Sequence, residues 1–145
     1  MSGYRVPTVL WAVAALETVL ALVASVADWP AQFAADGGSP DGAVQWLVEG
    51  SAVSAPLALL LLMIVTGALA TRRGWIGVLG DLMALPLAAV NLVGALGESL
   101  APDPVTAPRG VLVASGALGV VVAVIVVWAV AHDLRVRRAP KPVRH

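Results

Sequence analysis

Four apolar runs, each long enough to cross a lipid bilayer as a helix, constrain this chain more than anything else in its sequence. They cover about residues 6–27, 52–70, 75–97 and 110–132, and a spanning helix needs about 20 mostly apolar residues. Turn-rich or charged segments separate them. The first connection holds Gly37-Gly38-Ser39-Pro40-Asp41-Gly42, the second is the tight Thr71-Arg72-Arg73-Gly74, and the third carries Pro102, Pro104 and Pro108. Buried strands are excluded as an explanation, because membrane barrel strands are about half as long and alternate apolar with polar residues. Composition agrees: 59% of the 145 residues are hydrophobic and only 12% are charged, against about a quarter charged in soluble domains. The expected fold is an all-α integral membrane protein, a single four-helix transmembrane bundle over residues 1–134, followed by a basic, disordered tail over 135–145.

Charge distribution orients the bundle. Short cytoplasmic loops are enriched in Lys and Arg. Under the four-span reading Arg5, Arg72, Arg73, Arg135, Arg137, Arg138, Lys141 and Arg144 fall on one side, and only Arg109 on the other. Asp28, Asp36, Asp41, Glu49, Glu98 and Asp103 lie on the Arg-poor side. Both termini are therefore expected in the cytoplasm, in the plasma membrane. Trp29, Trp46, Trp75 and Trp128 fall near the interfaces as an aromatic belt requires, whereas Trp11 lies too deep for it. A rival reading makes Ser25-Val26-Ala27 a signal-peptidase site behind a thin positive region at Arg5. The run is long for a signal segment and contains Glu17, which favours a retained span.

A stripe of small and polar residues marks the first and third runs. Residues three and four apart share a helix face. Ala14, Glu17, Thr18, Ala21, Ala24, Ser25 and Asp28 follow that spacing, as do Gly77, Gly80, Asp81, Ala84, Ala88, Asn91, Ala95 and Glu98. The other faces carry Leu16, Val19, Leu20, Val23 and Val26, and Leu79, Leu82, Met83, Leu87, Val90 and Val93. Small faces let membrane helices approach closely and polar groups bond across the contact, so both stripes are expected to face the interior. At about 1.5 Å per residue, Glu17 lies roughly 16 Å from the cytoplasmic start of its helix, Asp81 roughly 9 Å and Asn91 roughly 24 Å. A broken polar ladder with Glu17 in the middle results.

Glu17 is costly at that depth. A charged carboxylate near the bilayer centre costs about 2.5–3.5 kcal/mol on insertion scales, and no basic residue is placed to neutralise it. Arg72 and Arg73 are expected at most to snorkel toward Asp81. The neutral acid, hydrogen-bonded to Asn91, Thr18 or a backbone carbonyl, is the cheaper form, with a bound cation or a wet cavity as the alternative. Glu17, Asp81, Asn91 and Thr18 are thus the candidate site, read either as a proton or cation site or as polar glue between helices.

The remaining features are plainer. Pro86 falls within the third run, where a proline bends a helix. Ser115, Gly116, Gly119 and Ala123 form a small patch in the fourth that would suit self-association. Asp41 is placed to cap a short interfacial helix running to Glu49 in the long first outer connection, a candidate ligand lid. The tail should attract anionic lipid; it is too short and lacks the aromatics for nucleic acid. Cysteine is absent, and no GxSxG elbow, phosphate-binding glycine loop, nucleotide fingerprint or HExxH metal motif occurs. No enzyme activity, metal or cofactor is expected. The leading expectation is an accessory or structural subunit acting through packing with a partner or itself; the alternative is a small proton- or cation-coupled transporter using Glu17.

Overall fold

A computed structural model describes residues 4–29, 48–51, 53–100 and 107–138. Four named helices make up its framework: α1 Arg5–Val26, α2 Leu57–Ala70, α3 Trp75–Leu100 and α4 Arg109–Arg138. Three of them, α1, α3 and α4, are long and apolar enough to cross a membrane. The helices close a ring in which α1 packs on α2, α2 on α3, α3 on α4 and α4 back on α1, while α1 and α3 stand across the diagonal and scarcely touch.

The surface is inverted relative to a soluble protein. Val19, Leu22, Val23 and Val26 of α1, Leu61, Leu62, Ile64 and Val65 of α2, Leu79, Leu82, Val90 and Val93 of α3, and Val120, Val121, Val124 and Val127 of α4 are exposed. Alanine and glycine fill much of the interior instead: Ala14, Ala21, Ala24, Ala70, Ala84, Ala88 and Ala129 are buried. Contiguous apolar exterior on this scale marks a surface made for lipid or for another apolar partner. Leu87, expected on the greasy outer face, is buried instead, one turn past Ala84 on the inward side.

Close approach depends on glycine at several points. A side chain at Gly80 would collide with the backbone of Ala70, and one at Gly77 with the Arg72 carbonyl and the Arg137 guanidinium. Gly116 and Gly119 of α4 lie against Ser99 and Ala95 of α3. The small patch on α4 is thus used within the chain. Gly67 accepts the indole of Trp11 against its bare Cα, and the Trp11 Nε1–H donates to the Ile64 carbonyl at 3.3 Å. That docking explains a tryptophan too deep for the interfacial belt.

Two helix boundaries differ from expectation. The second helix begins at Leu57 rather than near residue 52, leaving 14 residues, or about 21 Å. Pro56 is the reason: a proline pushes the residue before it out of helical backbone, and Ser51 and Ser54 offer the chain an alternative to helix. The fourth helix continues to Arg138, 30 residues in all, so the basic segment from Arg135 to Arg138 is helical rather than disordered. Pro86 is accommodated inside α3 without interrupting it. The short helix expected from Asp41 lies outside the described residues except for its end at Val48 and Glu49, and the tail beyond Arg138 lies outside them altogether.

α1 ends in a Schellman motif. Asp28 takes the left-handed conformation at φ 53°, the Trp29 N–H donates to Ala24 O at 3.0 Å and the Asp28 N–H to Ser25 O at 3.4 Å, which satisfies the last carbonyls of the helix. Its first turn is capped from elsewhere. Tyr4 provides no side-chain cap; Asp133 of α4 accepts from the Arg5 N–H at 2.9 and 2.8 Å and from the Val6 N–H at 2.8 Å. Replacing an N-cap by alanine costs about 1–2 kcal/mol. Asp133→Ala should therefore lower the unfolding temperature in mild detergent, and Asp133→Asn, which retains one acceptor, should lower it less. Equal stability of all three proteins would show that the cap contributes nothing.

Candidate functional site

Three acids are buried among the described residues: Glu17, Asp81 and Asp133, with 7%, 0% and 0% exposure. Their surroundings differ in kind. Asp133 caps α1 and also lies 3.0 Å from His132 Nδ1. Asp81 is paired with Arg137, whose Nε donates to Oδ2 at 2.5 Å and whose second terminal nitrogen donates to Oδ1 at 3.3 Å. The same guanidinium donates to Ala70 O at 2.5 Å and to Arg72 O at 2.9 Å, closing the carbonyl end of α2, and it stacks on the Tyr4 ring at 4.0 Å. A planar fork with five donors is suited to such a task.

Arg72 and Arg73, expected at most to snorkel toward Asp81, do not pair with it; Arg137 does. Both of those side chains are exposed, and Arg72 contributes only its carbonyl. Arg137 reaches inward because α4 stays helical two turns beyond its apolar run, and because Gly77 leaves the space its guanidinium occupies. Asp81 consequently belongs to a charge cluster at the basic end of the bundle and does not join a continuous ladder with Glu17.

Glu17 lies elsewhere and is held differently. Its Oε2 accepts from the Ala55 N–H at 2.9 Å and its Oε1 from Asn91 Nδ2 at 3.2 Å. One bond secures the non-helical segment ahead of α2, and the other crosses the diagonal to α3. That segment satisfies itself through a small loop: the Ser51 and Ser54 backbones exchange bonds at 3.0 and 3.2 Å, and their hydroxyls meet at 2.9 Å. Ser51, Val53, Ser54 and Ala55 are all buried, so the polar backbone groups of this irregular stretch must find partners within the protein. A turned Asn91 amide would equally accept a proton carried by Glu17, since the amide oxygen and nitrogen are interchangeable in shape.

Beside this cluster is a cavity of about 340 Å³ lined by all four helices, by Ser51 and by residues 53–56. Glu17, Asn91, Ser51, Ser54 and Ser115 are its polar members, and Leu16, Leu20, Leu59 and Val122 are among the apolar ones. Thr18 is not part of it. Its hydroxyl turns back to Ala14 O at 2.8 Å on an exposed face of α1, the internal bond that short hydroxyl side chains make in helices. Of the four sequence candidates, the fold unites Glu17 and Asn91, gives Asp81 to Arg137 and leaves Thr18 outside. No group of three or more His, Cys, Asp or Glu side chains gathers among the described residues in a way that would hold a metal.

Asp133 and Arg137 are the polar residues that sequence reasoning missed. A signal for the first existed: Asp133 is the one acid embedded in the otherwise basic C-terminal run. No family model matches the chain, and no curated protein or solved structure is significantly similar to it.

Removing one partner of a buried ion pair costs about 3–5 kcal/mol because the other charge is left uncompensated. Arg137→Ala should thus strongly lower thermal stability, and adding Asp81→Ala should restore part of the loss. A double variant no more stable than Arg137→Ala would mean that the guanidinium acts through Ala70, Arg72 and Tyr4 alone.

Proposed function

We propose that this chain is a small plasma-membrane transporter, a four-span bundle with both termini in the cytoplasm, in which Glu17 exchanges a proton or another cation. One observation carries the reading. Two of the three buried acids are spent on structure, one against a guanidinium and one on a helix end, whereas Glu17 faces no cation among the described residues and lines a cavity. An ionisable group inside a membrane protein is a functional hypothesis by default, and this one has room beside it for a solute. Burying a carboxylate against neutral donors, with no cation to pair it, would be an expensive choice for packing alone.

An accessory subunit that works only by packing remains the rival, and the bonds from Glu17 to Ala55 and Asn91 favour it. Glutamine separates the two readings. Its amide can accept from Ala55 and meet Asn91, so Glu17→Gln preserves the glue and removes the titratable group. In liposomes holding a preset pH gradient, the native protein should couple proton movement to at least one added cation, tested across sodium, potassium and organic ammonium salts. Glu17→Gln should abolish that coupling while assembling normally. Identical fluxes from the two proteins would sink the transporter reading.

Four spans require the 53–56 segment to extend the short α2 within the membrane. Support comes from the meeting of Arg5, Arg137 and the Arg72 carbonyl at one end of the bundle, the end that the positive-inside rule places in the cytoplasm. The chain has no cysteine, so single substitutions can be labelled without background. In intact cells, Gly110→Cys should react with an impermeant maleimide and Arg73→Cys should not; the opposite pattern would invert the topology.

A further inference from the structure

Resting on the Glu17 site proposed above, we infer that its cavity binds an organic monocation with an apolar body, the charge beside Glu17 and the body among Leu16, Leu20, Leu59 and Val122.

A water molecule takes up about 30 Å³ of liquid, so a cavity of about 340 Å³ is far larger than a bare sodium or potassium ion. It falls within the range of about 300–1,000 Å³ typical of small-molecule pockets. Donor chemistry points the same way. A hard metal cation takes roughly six or more oxygen ligands, whereas this lining offers a single carboxylate. The Ser51 and Ser54 hydroxyls bond to each other, the Asn91 amide nitrogen donates to Glu17, and Ser115 is the remaining polar side chain of the lining. A diffuse organic cation makes no such demand and needs only an opposite charge nearby.

Glu17 is 7% exposed and has two neutral hydrogen-bond donors as its partners, Ala55 and Asn91. An ionised carboxylate retains acceptor sites beyond the two in use, and in a site of low polarity its attraction for a cation is much stronger than in water. Leucine and valine lining then exclude strongly hydrated ions and favour an alkyl or aryl body. Neutral apolar molecules and lipid chains could enter the same space, but they would leave the carboxylate as it was. Affinity that depends on charge separates the two classes of occupant.

The test is equilibrium dialysis of radiolabelled benzyltrimethylammonium against the full chain in nanodiscs, with protein-free nanodiscs subtracted. Neopentylbenzene, its uncharged isostere, serves as the paired probe. The inference expects saturable binding of the cation, weakened by about tenfold or more in Glu17→Gln, and much weaker binding of the isostere. A second variant protects the test against misfolding. A side chain built at Gly94, which lines the cavity, meets nothing within 4 Å at its Cβ, so Gly94→Phe should fill the space, leave the carboxylate in place and remove cation binding. Equal binding of the two probes, binding indifferent to both substitutions, or no saturable binding would each overturn the inference. Such a result would leave proton exchange at Glu17 standing, because that is read from the liposome flux; loss of the flux with cation binding intact would overturn the transporter and keep the site.

Discussion

Two residues one helical turn apart on α4, Asp133 and Arg137, hold the other three helices in register. Asp133 accepts the first free N–H groups of α1. Arg137 closes the carbonyl end of α2 and pairs with Asp81 of α3. Residues four apart project from the same helix face, so both act at one end of the bundle. Helices that lipid surrounds have no hydrophobic drive to associate, and packing and polar contacts then set their positions. Concentrating those contacts on one helix gives four otherwise featureless rods a defined arrangement.

That arrangement places the chain's polar groups in two layers with different chemistry. At the basic end, opposite charges and helix termini satisfy one another, and Arg5 over Trp128 at 4.4 Å adds a cation–π contact at the rim. Nearer the middle, Glu17 is bonded only to neutral donors and borders open space. The 53–56 segment belongs to this second layer. Its interruption of α2 turns a backbone N–H, which a longer helix would have used internally, toward Glu17. Pro56 thus shapes the site although it contributes no polar atom to it.

Much of this was legible in the chain. The inward faces of α1 and α3 were visible in the spacing of small residues, since a close helix contact tolerates little else, and that spacing located Ala14, Glu17, Ala21 and Ala24, and Gly77, Gly80, Asp81, Ala84 and Ala88. Glu17 and Asn91 were recognisable as candidates because carboxyl and amide groups are costly in hydrocarbon. Thr18 misled because a hydroxyl can satisfy itself on its own helix and so carries little information about facing. The partner of Asp81 was not foreseen because its cation lies 56 positions away, on a helix whose extension past the apolar run no hydropathy pattern marks.

Hydrophobicity and charge by themselves determined that the chain is helical, that its helices suit a membrane and which faces turn inward, because those properties follow from local periodicity and from the cost of solvating each residue. Which helices are neighbours, which cation meets which acid, where α2 begins in space and whether a cavity remains beside Glu17 were decided only by tertiary structure. They depend on contacts between residues far apart in sequence, and on glycines whose absent side chains matter only once another helix lies against them.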